Sequence, residues 1–506
     1  MTTYRSRAAL TAGAILSMSA GTAVADVTPT EVWTDWKAYM TDFGFAVSAR
    51  ETPSGSDLRL NDIVMSLDAP EGGADTEVKF PELSLTDNGD GTVSISFPES
   101  MPVSVAVEGP EPVSFDLIYT TSDLDMTVSG DASEMTYAYT AASVGVEMSD
   151  LVSEGKPVDF GAASIALQDV DGRTVTTAGD LRQSNQQIDS GPVTYEIAMV
   201  DPEDPTSKFE MTGQIDNLQM LGTATLPTDM DMSNIAAALA AGFAVDGSYT
   251  FGPDASTFTA TEEGVVTRGT SASSGGELSV KMNEDGVHYS GTSNDLAIEM
   301  TVPDLPFPVS MAMAEGKFAL DMPIAQKEAA QDFGLTFVLG DLTVSDAIWA
   351  MFDPAAQLPR DPATLALEMS GKARVMANLM DAAQMAAVED GTEVPGELDA
   401  LSLDRLLLRI AGAELTGEGA VTFDNTDKVT FDGMPKPIGD IGLKLTGANA
   451  LLDKLVAMGF VPEEQVMGVR MMMGVFAVPG EGEDVLNSKI EFTEEGQILA
   501  NGQRLK

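Results

Sequence analysis

Cysteine is absent from this chain, histidine occurs once and tryptophan three times. Without cysteine there is no disulfide framework, no thiolate nucleophile and no site for a lipoprotein anchor, so a chain free of any lipid anchor is expected. A single histidine leaves zinc and iron sites of the common kinds without ligands, and it gives nucleophilic catalysis its usual base at one position only. That position, His288, stands at the exit of the turn Glu284-Asp285-Gly286 beside Tyr289 and reads as a surface or sheet-packing residue. The chain also lacks a Gly-x-Ser-x-Gly elbow, a phosphate loop and a paired-glycine nucleotide fingerprint. Carboxylates are so numerous that a glycosidase pair cannot be picked out by spacing, and so few tryptophans argue against aromatic sugar platforms. Basic residues are scarce, 27 against 79 acidic ones, for a formal net charge of −52. Such a surface repels phosphate backbones and anionic headgroups, which excludes nucleic acid as a partner and suits a medium salty enough to screen self-repulsion. No catalytic, cofactor-binding or metal-binding residue is assigned on these grounds, and a non-enzymatic protein is expected.

What is present begins with a targeting signature. Arg5 and Arg7 precede a short apolar run from Ala8 to Ala20, and Ala23-Val24-Ala25 has the small-x-small pattern of a signal peptidase site. Residues 1–25 read as a secretory signal peptide cleaved after Ala25, which implies a periplasmic location. Beyond that segment no uninterrupted apolar run has transmembrane length.

The body of the chain alternates. In the stretch 112–148, apolar side chains occupy every second position at Val113, Phe115, Leu117 and Tyr119, then Leu124, Met126 and Val128, then Met135, Tyr137 and Tyr139, then Val144, Val146 and Met148. Successive strand residues point to opposite faces, so the pattern predicts four antiparallel strands with one apolar face and one polar face. Further strands are predicted at Leu58 and Leu60, at Leu83 and Leu85, from Val93 to Phe97 and from Val103 to Val107. The link Asp87-Asn88-Gly89-Asp90-Gly91 resembles a calcium loop only superficially: aligned on Gly91, the first ligand position falls on Thr86 and the last on Phe97. A hairpin turn using Asn and Gly for positive φ fits better. Similar turns recur at Glu262-Glu263-Gly264, Glu284-Asp285-Gly286 and Glu494-Glu495-Gly496, without a fixed period.

Helical spacing interrupts this pattern briefly. Val32, Trp33, Trp36, Tyr39, Met40 and Phe43 predict a helix after Pro29 that ends at Gly44 and caps one end of the sheet. Short helices are also predicted from Ser233 to Phe243 with Ser233 as cap, from Ala325 to Phe333, and after Ser345. Two more are predicted over Ala448 to Met458 and from Glu463 to Phe476, the latter carrying Met467, Met471, Met472 and Met473 among valines. Copper(I) ligation by that cluster is disfavoured against core packing, or against an adaptable surface for varied apolar ligands. Pro303, Pro306 and Pro308 suggest a linker, dividing the chain into a β-rich region 26–325 and another at 326–506, or leaving one elongated unit.

The last third carries a resemblance. The tract 344–373, VSDAIWAMFDPAAQLPRDPATLALEMSGKA, together with 447–459, GANALLDKLVAMG, the run MMMGVFAVPGEGED and the end ANGQRL, resembles the DUF2125 family of exported bacterial proteins. The resemblance is expected to extend over most of the chain after the signal peptide. It implies an envelope protein, with no activity or site residues to carry over. The expected fold is mainly β with short helices, a long curved antiparallel sheet forming a groove, half-barrel or sandwich. Two functions follow from it: binding or transfer of a lipid or other apolar ligand in a β-groove, or a structural role with envelope protein partners and a closed core.

Overall fold

The computed structural model describes residues 26–67, 75–108, 112–158, 161–201, 204–228, 230–231, 234–303 and 305–506. The predicted signal peptide with its cleavage after Ala25, and the predicted cap Ser233, lie outside the described residues.

Helix α1 (Pro29–Asp42) leads into β1 (Ala46–Ser54), β2 (Asp57–Leu67), β3 (Asp75–Asp87), β4 (Val93–Ser96), β5 (Ser100–Glu108), β6 (Val113–Ser122), β7 (Asp125–Asp131), β8 (Glu134–Ser153) and the short β9 (Lys156–Pro157). Next come β10 (Ala162–Thr177), β11 (Leu181–Ser190), β12 (Val193–Val200), β13 (Lys208–Ile215), β14 (Leu218–Pro227), α2 (Ile235–Ala240), β15 (Ala244–Phe251), β16 (Asp254–Glu262), β17 (Val265–Ser273) and β18 (Gly275–Met282). Then follow β19 (Gly286–Thr301), β20 (Val309–Pro323), β21 (Gln331–Val344), α3 (Asp346–Phe352), β22 (Ala363–Val375), α4 (Ala382–Glu389), β23 (Gly396–Ile410), β24 (Ala413–Asp424) and β25 (Lys436–Thr446). The chain closes with α5 (Ala448–Ala457), α6 (Glu463–Phe476), β26 (Val478–Pro479), β27 (Val485–Phe492), β28 (Ile498–Ala500) and β29 (Gln503–Arg504).

All of these strands join one antiparallel sheet. Several consecutive pairs are halves of one long strand: β11 and β12 both pair with β10, β14 pairs with β11 and β15, and β13 pairs with β12 and β16. The sheet is therefore an up-and-down meander whose strands are, from β2 to β21, two segments wide. Among the described residues β1 pairs only with β2 and β29 only with β28, so the sheet stays open.

The two segments meet along a line of irregular residues running across the strands. Asp62, Asp123, Asp169, Asp295 and Asp341 all adopt φ near +50° there, and Gly275 has φ of 108°. Asp169 lies against Gly191, and the hydroxyl of Ser274 donates to Asp295 over 2.9 Å. Aspartate tolerates the left-handed region better than most residues, and an extra residue of this kind reverses the phase of the alternation beyond it. The phase does reverse: Leu58 and Leu60 give way to Ile63 and Met65, and Tyr289 gives way to Leu296 and Ile298. Because neighbouring strands carry the irregularity at one level, the pairing of β8 with β10 continues in one register while the apolar face stays on one side. Leu167 and Val170, an odd step apart, line the same cavity.

Several expectations need correction. Met135–Tyr139 and Val144–Met148 are not two strands but one, the 20-residue β8, whose apolar phase reverses on the irregular line. Residues 325–333 are not helical; a bend joins β20 to β21, and these two strands pair directly. Pro303, Pro306 and Pro308 fall between β19 and β20, which pair with each other. Asn234 caps α2, accepting from the Ala237 amide over 3.1 Å. Ser345 occupies the cap position of α3, but its hydroxyl makes no capping bond. The turn at Asp87–Gly91 is the expected hairpin, with Asp87 opposite Val93. No described helix is long and apolar enough to cross a membrane.

Candidate ligand-binding site

Helix α1 starts with a reciprocal capping box between Thr28 and Glu31 and lies across the N-terminal strands. Its Val32 and Trp33 are buried in a core with Leu58, Leu60, Leu83, Leu85, Val93, Ile95 and Val128. The Trp33 indole N–H donates to Glu51 on β1 over 2.6 Å, and Lys37 reaches the same carboxylate at 2.9 Å. These bonds hold the Glu51 carboxyl below the usual range, the Lys37 hydrogen bond foremost. About two turns apart on the helix, Asp35 and Asp42 both meet Arg182 of β11, whose Nε donates to Asp42 over 3.1 Å. Arg182 is only 7% exposed along its side chain, and burial alone would weaken its charge. The two carboxylates outweigh that cost and raise its pKa. The Tyr137 hydroxyl donates to Asp35 over 3.1 Å. Burial, and then the Asp35 charge, push the Tyr137 phenol far up.

Beneath this side of α1 is a cavity of about 460 Å3. Trp36 and Tyr39 form its helix wall, and Phe97, Tyr119, Tyr137, Tyr139, Leu167, Val170 and Ile188 form its sheet wall, with Thr174, Ser184 and Gln186 on one side. Trp36 stacks between Phe97 and Tyr137, with ring centroids 6.5 Å away in each case. Burial raises the phenols of Tyr39, Tyr119 and Tyr139, which keeps them neutral donors.

The cavity is the start of a longer feature. From Tyr139, directly opposed residues run across thirteen strands through Gly172, Ile188, Met220, Tyr249, Leu278, Gly291, Phe318, Phe337, Leu367, Leu406 and Gly417 to Leu443. Every member is apolar or glycine. At about 4.8 Å per strand the row is on the order of 55–60 Å long. Its middle is open to solvent, with Tyr249 41%, Leu278 37% and Phe337 36% exposed. Rings lie along the same face over neighbouring glycines: a Cβ at Gly172 would run into Tyr139, one at Gly269 into Phe258, and one at Gly371 into Phe333. At the far end α6 covers Leu443, leaving a second cavity.

The remaining sequence candidates fall elsewhere. His288 lies directly opposite Asp321, its Nδ1 2.6 Å from the Asp321 carboxylate and its Nε2 3.2 Å from the Ser290 hydroxyl. The order carboxylate, imidazole, hydroxyl is that of a nucleophilic triad. Here, however, β19 is paired on both sides by β18 and β20, so the backbone donors around Ser290 are engaged in the ladder instead of converging on an oxyanion. Among the described residues no group of three His, Asp or Glu side chains is placed to hold a metal ion. A trough of about 780 Å3 mixes small polar residues such as Thr120, Ser164, Thr194, Thr212 and Thr270 with apolar ones such as Ile118, Val146, Ile165 and Tyr195. The methionines of α6 are not closed core, for Met467 is 66% and Met471 70% exposed.

The cross-strand row escaped a reading of the sequence because its successive members lie 11 to 39 residues apart in the chain. A local signal did exist for the irregular line: Asp62-Ile63, Asp123-Leu124, Asp169-Val170, Asp295-Leu296 and Asp341-Leu342 repeat one dipeptide pattern where the alternation changes phase.

Neither the curated proteins nor the solved structures contain a match to this chain. The sequence profile of DUF2125, described as an uncharacterized protein conserved in bacteria, matches residues 249–502. That is the half from β15 onward and not most of the chain, and it includes the tracts at 344–373 and 447–459. By that match, this protein belongs to the DUF2125 family of bacterial proteins of unknown function.

Proposed function

We propose that this protein is a non-enzymatic, exported component of the bacterial envelope that binds or passes along an elongated apolar ligand, such as the acyl chains of a lipid. The observation carrying this reading is the uninterrupted apolar row from Tyr139 to Leu443, part-exposed in its middle and covered by helices at both ends. A closed core has no use for a solvent-exposed apolar strip of this length, whereas exposed apolar surface on a monomer marks a place where something binds. The net charge of −52 keeps such a surface soluble, and the leader-like residues 1–25 suit a periplasmic destination.

Native mass spectrometry of the protein purified gently from its own envelope, with organic extraction of whatever accompanies it, tests this reading. Discrete added masses that extract as lipid are the expected result. A bare mass, with no uptake of a fluorescent acyl probe, removes the reading. That outcome favours a structural protein with protein partners, a view supported by the tightly buried N-terminal core around Leu60, Leu85 and Ile95.

A further inference from the structure

Helix α6 does not pack down on the sheet. Between it and β24, β25 and β27 lies a cavity of about 660 Å3, walled by Leu415, Leu443 and Leu445 on one side and by Met472 and Met473 on the other. The Ser488 hydroxyl on its wall spends its proton on the Phe476 carbonyl over 2.6 Å, which leaves its oxygen as an acceptor and Gln465 as the one amide side chain of the lining. Val466 is the one buried side chain of α6. The helix is held from its flank, where Arg470 donates to Asn449 over 3.1 Å and pairs with Asp453 at 2.6 Å on α5.

Two glycines, Gly468 and Gly474, occupy the interior of this helix. Each costs about 1 kcal/mol relative to alanine there. Neither has a positive φ, and no atom lies within 4 Å of where a Cβ would be, so neither backbone strain nor close approach calls for glycine. Gly468 lines the cavity, and its effect is to keep the space under the helix open.

We propose that this cavity is a binding seat for one unbranched alkyl chain. The inference rests on reading the apolar row as a lipid track, of which Leu443 is the last member. Leucine and methionine walls fit a flexible chain better than a rigid ring system, because methionine adapts to a thin, mobile occupant. With Ser488 and Gln465 the only polar side chains in a wall of leucine, valine, methionine and phenylalanine, the ligand's polar head remains at the rim. The same chain chemistry is available from a free fatty alcohol or from a bilayer phospholipid.

Photolabelling of the full chain separates the possibilities. A hexadecanol carrying a diazirine is offered free in solution, and a phosphatidylcholine carrying the same diazirine chain is offered in phosphatidylcholine vesicles. Labelling of the peptides around Met472 or Leu443 by either probe is expected, and the productive probe identifies the source. Gly468→Leu fills the cavity and should reduce that labelling about tenfold or more, while labelling beneath α1 near Trp36 and Tyr139 persists. Gly474→Ala, which is off the cavity wall, should raise the melting temperature and leave labelling unchanged. Labelling near Trp36 with none at α6, or equal labelling of wild type and Gly468→Leu, overturns this seat alone. No labelling at either end with either probe overturns the lipid track with it.

Discussion

The two helical covers of the apolar face are built on different physics. At the N-terminal end α1 is tied down by side chains of every kind: Val32 and Trp33 are fully packed, Trp33 and Lys37 reach Glu51, and Asp35 and Asp42 clasp the buried Arg182. At the C-terminal end α6 buries one valine, presents methionines to solvent and stands off the sheet over an aliphatic cavity. One cover is fastened by charge and aromatic packing, and the other leans on α5 through Arg470. A helix fixed by a buried ion trio resists sliding, whereas α6 is fastened only by the buried Val466, the part-exposed Arg470 pair and the bonds from Ser488 and Asn501 to its Phe476 carbonyl.

The strongest way to break this contrast is at Arg182. Arg182→Ala strands two carboxylates under α1 and should cost about 3–5 kcal/mol in urea unfolding, with loss of the Trp33 and Trp36 fluorescence environment. Arg470→Ala, by comparison, removes a largely exposed pair and should cost about 1 kcal/mol or less. If the two variants unfold alike, α1 is no better fastened than α6.

Next comes the hydrophobic contribution. Leu60→Ala opens a cavity in a fully buried site and should cost about 2–5 kcal/mol, while Met471→Ala on the exposed side of α6 should stay within about 0.5 kcal/mol. Thermal melts of both variants measure the gap, and a costly Met471→Ala would show that the outer face of α6 is packed in solution. Gly172→Ala drives a Cβ into the Tyr139 ring and should cost about 1–3 kcal/mol. Tyr139→Leu in the same chain should recover part of that loss, which a simple backbone effect of the alanine would not allow.

The smallest effects depend on pH. The Tyr137 phenol is held protonated by burial and by Asp35, so its folded pKa is raised. Its contribution is complete below the unfolded value of about 10 and is lost as pH rises beyond it. Tyr137→Phe should therefore flatten the alkaline limb of the stability profile. Asp484 acts in the opposite sense at the other end. Burial alone would raise its pKa, but amides of Ala450 and Asn449 at the start of α5, with Arg470 nearby, outweigh that and lower it. That stability is present above the unfolded value of about 3.9 and is lost as pH falls through the lower folded value. Asp484→Asn should blunt the acid limb without touching the alkaline one.

Much of this architecture was legible in residue order. The alternation at Val113–Tyr119 and at Val93–Phe97, the glycine turns at Gly89 and Gly264, and the spacing of Trp33, Trp36 and Tyr39 are local consequences of period two, positive φ and period 3.6, and the structure has strands, hairpins and helix there. Local signals failed where the period itself changes. Between Tyr139 and Val144 the phase reverses, which in sequence looks like the end of one strand and the start of another. Ala325 to Phe333 has helical composition, yet Phe333 is claimed by the ladder with β22, where it lies over Gly371. Pairing of neighbouring strands overrides propensity in such a segment.

By itself the sequence determined an acidic, cysteine-free, antiparallel β protein with an apolar face, because composition and alternation are properties of neighbours along the chain. Only the tertiary structure decided which apolar residues share a row. Tyr139, Met220, Phe337 and Leu443 come together through twelve successive registers, each fixed by hydrogen-bonded pairing between strands, and no spacing along the chain encodes that sum. The clasp of Arg182 by Asp35 and Asp42, 147 and 140 residues away, belongs to the same class of fact, since charge placement in one segment acquires its meaning from the burial another segment provides.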